Sequence, residues 1–135
     1  SSFVVWSRIR IGSKSFAQLR SERPELAALS LDDLQLQVKR AGDIEVDGKG
    51  CTEFGIANAA CMLIKAIFHD QKLIWPCSTA LNGEYGQKNV AAATLVIGKN
   101  GIEEILELKL TEEEEAKFAA SCDILRGFLD RAGSL

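Results

Sequence analysis

A chain of 135 residues, 47% of them hydrophobic, fits one domain, residues 1–135, with a real core. Its 16 Lys and Arg against 19 Asp and Glu leave a net charge of -3. That balance excludes the basic footprint of a nucleic-acid binder and the polybasic anchor of a membrane-surface protein. No apolar run is long enough to span a bilayer and no signal peptide is visible.

The four cysteines, Cys51, Cys61, Cys77 and Cys122, form no Cys-x-x-Cys pair, and His69 is the only histidine, so no structural zinc site is expected. Scattered cysteines of this kind suit a reducing cytoplasm, where they act as small buried hydrophobes. The abrupt apolar start at Ser1-Ser-Phe-Val-Val-Trp6, with no initiator Met, reads as a fragment or a processed product.

In chain order, Phe3–Ile11 mixes β-branched and aromatic residues and predicts a short strand or extended segment closed by Gly12-Ser13. Residues 15–29 are ambiguous, with Pro24 breaking any long helix at Arg23. Ser30-Leu-Asp-Asp33 resembles a helix-capping pattern, and Leu31, Leu34, Val38 and Ala41 follow helical spacing to about Asp47. Gly48-Lys-Gly50 then separates this helix from the next.

Thr52 is placed to cap that next helix, whose apolar positions are Ile56, Ala60, Leu63, Ile64, Ile67 and Phe68. Small residues on its other faces predict that it is central to the domain. The second half reads as β: Leu73–Leu81, Val90–Gly98 and Ile102–Leu110. Asn100-Gly101 is a tight hairpin signal, because both residues tolerate positive φ, while Asn82 to Asn89 makes a longer loop. The expected architecture is an antiparallel meander packed on long helices, an α+β fold. Thr111-Glu-Glu-Glu114 fits a capping box at the head of a last helix striped by Phe118, Cys122, Leu125 and Leu129.

Chemistry is sparse. No Gly-rich phosphate loop follows a strand, and no Ser sits in a nucleophile elbow. Cys51 and His69 fall at opposite ends of one helix, ~27 Å apart at ~1.5 Å per residue, which excludes a direct pair. Cys61 lies within an apolar helical run, where a thiol is inert packing. Thr52 offers a hydroxyl at the positive end of a helix dipole. From the residues alone it either caps its helix or helps to hold an anion such as a substrate carboxylate.

The segment Val38-Lys-Arg-Ala-Gly42 through Lys49-Gly-Cys-Thr52-Glu-Phe-Gly-Ile56-Ala57 resembles the NAD-dependent lactate/malate dehydrogenase family. Ser2-Phe-Val-Val-Trp6-Ser7 is similar to the stretch immediately after that family's His-Gly-Asp-Ser motif. Leu81-Asn-Gly-Glu-Tyr85-Gly86, Val96-Ile-Gly98-Lys-Asn-Gly101-Ile102 and Leu108-Lys-Leu-Thr111-Glu-Glu-Glu114 resemble its later signatures. Order and spacing together cover nearly all of the chain.

The resemblance implies the C-terminal substrate-binding domain of a lactate-type, L-2-hydroxyacid dehydrogenase. Thr52 would lie beside the substrate, Ile56 against the nicotinamide of NAD, and Ala41 and Gly42 along the wall near the substrate side chain. It implies no catalytic residue within the chain: the catalytic His falls just upstream of Ser1, and the catalytic Asp, the carboxylate-binding Arg and the Rossmann half lie elsewhere. A homo-oligomer is implied, with a 2-keto or 2-hydroxy acid as substrate and no nucleic acid or membrane as partner. Thr94, Asp43 and Asp47-Gly48 depart from the family pattern. The competing readings are a stand-alone α+β interaction module and a malate-type domain.

Overall fold

The computed structural model describes residues 2–88 and 90–133. They fall into two compact units: Ser2–Cys51 with Leu110–Phe118, and Thr52–Lys109 with residues 119–133.

The first unit begins with a 3-10 turn, Trp6–Arg8, and a two-residue antiparallel ladder of β1 (Arg10–Ile11) and β2 (Lys14–Ser15) across Gly12-Ser13. Within Phe3–Ile11 the strand is therefore limited to Arg10–Ile11, with Ile9 extended before it and Trp6–Arg8 turned. Trp6 stacks on Phe16, 5.5 Å between ring centroids, and the Ser7 N–H bonds a side chain rather than a strand partner. These contacts roll the segment into a turn, overriding its β-propensity.

Ser15 and Gln18 form a reciprocal capping box that starts α1 (Phe16–Glu22), which buries Phe16 and Leu19. Pro24 occupies the first position of the short α2 (Pro24–Ala27), where its missing N–H has no intrahelical acceptor to lose. Ser30 accepts the Asp33 N–H and opens α3 (Leu31–Lys49). That helix runs two residues past the expected Asp47. It ends only when Gly50 adopts φ 84° and returns its N–H to Val46 O at 2.7 Å, so the stop is the left-handed residue and not Gly48.

The second unit holds α4 (Phe54–Phe68) and a three-stranded antiparallel meander in the order β3 (Leu73–Ala80), β4 (Val90–Gly98), β5 (Gly101–Leu106). Central β4 alternates strictly, burying Ala91, Ala93, Leu95 and Ile97 on one face. Pro76 is tolerated because β3 is an edge strand; opposite it on the central strand stands Thr94, which keeps an N–H for the ladder. At the β4–β5 hairpin only Gly101, φ 84°, is left-handed, and Lys99-Asn100 form the turn. Glu103 is the extra residue between the pairs Ile97↔Ile102 and Val96↔Glu104.

The third strand stops at Leu106, not Leu110. Glu107 and Leu108 bond Tyr85 of the β3–β4 loop instead of continuing the ladder. The last helix, α5 (Glu112–Gly133), begins in the first unit and continues as part of the second, where Cys122 is fully buried.

Two burial expectations fail. Helix α4 is not central: it lies on β4 and buries only Ala66, while Phe54, Ile56 and Phe68 are 73%, 69% and 83% exposed. One sheet face covers one helix face, and among the described residues the rest of the helix stays largely exposed. For the same reason Cys61 is exposed rather than packed. Of the four free cysteines only Cys122 is buried, and burial pushes its thiol pKa up. Among the described residues no helix is long and apolar enough to cross a membrane.

Candidate functional site at the start of helix α4

Thr52 does not cap α4. The cap position is taken by Glu53, at φ -136° and ψ -47°, and the helix receives no side-chain cap. Its first bond is Ala57 N–H to Glu53 O at 2.9 Å. The Thr52 hydroxyl is thus not spent on capping, and it is exposed two residues before the first helical position. The dipole at this end of α4 favours negative charge.

Ile56 lies in the first turn of the same helix and presents hydrocarbon to solvent. Thr52 and Ile56 are therefore brought to one helix start. Ala41 and Gly42 lie side by side in α3, in the other unit, both exposed, and a Cβ added at Gly42 would meet nothing within 4 Å. His69 terminates α4 at its far end, donating its N–H to Lys65 O at 3.0 Å.

The densest charge cluster of the second unit also sits at that far end. Lys72 Nζ reaches Asp70 Oδ1 at 2.8 Å and Glu103 Oε2 at 2.5 Å, and Asp70 also accepts the Lys99 N–H at 2.9 Å. The hydrogen bond from Lys72 holds Asp70 and Glu103 below the usual carboxylate range, and the two carboxylates raise Lys72. Gly98 is buried beneath them: a Cβ there would lie 2.6 Å from Glu103 Oε1 and 2.7 Å from Asp70 Oδ1. This cluster joins the α4–β3 link to the hairpin and is about 20 Å from Thr52 along α4.

Sequence reasoning missed a further residue. Glu114 is the one charged residue buried among those described. Its Oε1 accepts the Ser7 N–H at 3.0 Å. Its Oε2 accepts the Ser7 hydroxyl at 2.6 Å, the Thr111 N–H at 3.0 Å and the Thr111 hydroxyl at 3.1 Å. Burial pushes this carboxyl up, but the donors of Ser7 and Thr111 together outweigh it and hold the group below its ordinary value of 4.5. The Thr111–Glu114 half was readable as a capping box; Ser7, 107 residues away, left no local signal.

Residues 1–134 match the model of the lactate/malate dehydrogenase alpha/beta C-terminal domain. An L-lactate dehydrogenase 3 of Bacillus thuringiensis subsp. konkukian is 36% identical over 135 residues, 98% of this chain and 43% of that protein. Among solved structures, a lactate dehydrogenase from a Medee basin deep-sea metagenome library superposes with a TM-score of 0.85 at 32% identity, covering 95% of this chain and 41% of that one. The malate dehydrogenase from Aeropyrum pernix gives 0.81 at 31% identity, covering 94% and 41%. The chain spans less than half the length of each of these relatives. By its fold, its motifs and this match along nearly its whole length, the chain belongs to the lactate/malate dehydrogenase family, as that family's C-terminal domain.

Proposed function

We propose that residues 1–135 are the substrate-side domain of an NAD-dependent L-2-hydroxyacid dehydrogenase of lactate type. The intact protein would interconvert a 2-keto acid such as pyruvate with an L-2-hydroxy acid such as lactate. The match over residues 1–134 supports the family, and the L-lactate dehydrogenase names of the similar sequences support the lactate type over the malate type.

Within it, Thr52 offers its hydroxyl, at the positive end of the α4 dipole, to the oxygen atoms of the substrate. Ile56 covers one face of the nicotinamide and keeps water from the reacting carbon. When bound, NADH supplies the hydride. The residues present fit the apolar ring of that cofactor: an exposed isoleucine on the first turn of α4 offers hydrocarbon to a flat apolar surface. They do not fit its phosphates, since no Gly-rich loop follows a strand in this chain. A nucleotide-binding half must hold those. Ala41 and Gly42, with no side-chain bulk, leave room for the substrate's own side chain. The proton for the keto oxygen comes from the acid–base histidine that we infer just upstream of Ser1. Such a group contributes ~10²–10⁴-fold. The free cysteines suit a cytoplasmic protein.

The test is steady-state oxidation of NADH by the intact protein with pyruvate and with oxaloacetate. Turnover with a higher kcat/KM for pyruvate is expected. Preference for oxaloacetate would move the protein to the malate type, and no turnover with any 2-keto acid would overturn the reading.

A further inference from the structure

Buried carboxylates cost free energy unless donors surround them. Glu114 has four donors, and only two come from the capping box it completes with Thr111. The Ser7 N–H and hydroxyl go beyond what starting a helix requires. They fix the 3-10 turn Trp6–Arg8, and the same segment is tied a second time where the Val4 N–H donates to Gln35 Oε1 of α3 at 3.1 Å. Trp6, between the two ties, stacks on Phe16. A stretch with no ladder partner of its own is thus held at three points.

We propose that Glu114 is a positioning residue: by clamping Ser7, with Gln35 holding Val4, it sets the path of the segment that carries the acid–base group of the reaction. This rests on the function proposed above, in which that group lies just upstream of Ser1. Displacing a reacting group by about 1 Å costs on the order of a hundredfold in rate. A clamp a few residues from it therefore acts on turnover without touching substrate.

The clamp is specific for a carboxylate. A backbone N–H points at each of its two oxygens, Ser7 at Oε1 and Thr111 at Oε2. Neither N–H can turn around. Glu114→Gln therefore sets its own NH2 against one of them, whichever way the amide is flipped.

The experiment uses the intact dehydrogenase, assayed with NADH and pyruvate at a temperature where every variant is folded. Glu114→Gln and Ser7→Ala are expected to lower kcat about tenfold or more, with KM for pyruvate within about twofold, as a misplaced reacting group would. The solvent deuterium isotope effect on kcat should rise as proton transfer becomes slower. Ser7→Thr keeps both donors at an exposed position and should restore kcat. Thr111→Ala loosens the cap but leaves Ser7 bonded, and should lower thermal stability with kcat unchanged. If Glu114→Gln does not fold, Ser7→Ala against Ser7→Thr decides. Folded Glu114→Gln or Ser7→Ala enzymes with wild-type kcat would make the contact purely structural and overturn the inference. Wild-type enzyme inactive with every 2-keto acid would instead overturn the proposed function, and this inference with it.

Discussion

The phenol of Tyr85 accepts the Leu108 N–H at 2.8 Å and donates to Leu106 O at 3.3 Å, so one side chain of the β3–β4 loop closes the end of β5. Tyr85 does this from a left-handed backbone, φ 53°, in the 3-10 turn Glu84–Gly86. Tyr85→Phe removes both bonds and leaves the half-buried Leu108 N–H without its acceptor. A loss of about 1–3 kcal/mol is expected. Urea unfolding should show a lower midpoint with an unchanged slope.

Leu95 is fully buried on the central strand, flanked on its face by Ala93 and Ile97. Leu95→Ala should cost about 2–5 kcal/mol, because neighbouring strand backbones cannot collapse into the space. At Ala91, 2% exposed on the same face, the opposite change is expected to be harmful: Ala91→Leu overpacks the row and should cost about 1–3 kcal/mol. Denaturant titration of both variants measures the two effects.

Acid should weaken the fold through Glu114, Asp70 and Glu103. Each is held below its ordinary value in the folded chain, so each contributes stability that is present above that value and lost as pH falls through the depressed one. Lys72 is raised above 10.5, so its contribution is present below that pH and lost as pH rises through the folded value. Unfolding midpoints measured from about pH 3 to 7 should fall on the acid side, and Glu114→Gln should flatten that fall. A variant as pH-sensitive as wild type would contradict this assignment.

Exposed apolar side chains crowd the helices: Val38, Ile44 and Val46 on α3, Phe54, Ile64 and Phe68 on α4, Ile124, Phe128 and Leu129 on α5. Apolar patches beyond a few hundred Å² mark association surfaces. Light scattering of the purified chain at micromolar concentration should report a dimer or larger. A monodisperse monomer would count against it.

Features encoded locally were readable in the residues. The strand read at Val90–Gly98 has its observed limits, and Asn100-Gly101 located the hairpin, though only Gly101 uses positive φ. Ser30 and Thr111 identified two helix starts through contacts three residues long. Features that depend on distant partners were hidden. Phe3–Ile11 looked extended because Phe16 and Glu114, which curl it, are outside the segment, the second far along the chain. Helix α4 looked central because its composition is apolar on several sides, but composition says only that a surface is sticky. Whether this unit or another surface covers it is decided by packing. The substrate-side reading of Thr52 came from the order of motifs. Its helical role was misread, because Glu53 and not Thr52 takes the cap position, which leaves the Thr52 hydroxyl available rather than occupied.

That availability can be tested directly. Thr52→Val in the intact protein removes the hydroxyl and keeps the shape. With NADH and pyruvate, kcat/KM should fall about ten- to a hundredfold, as expected for losing one hydrogen bond to the reacting ligand, while NADH binding stays as in wild type. A Thr52→Val enzyme with unchanged kcat/KM for pyruvate would show that the start of α4 is not the substrate wall.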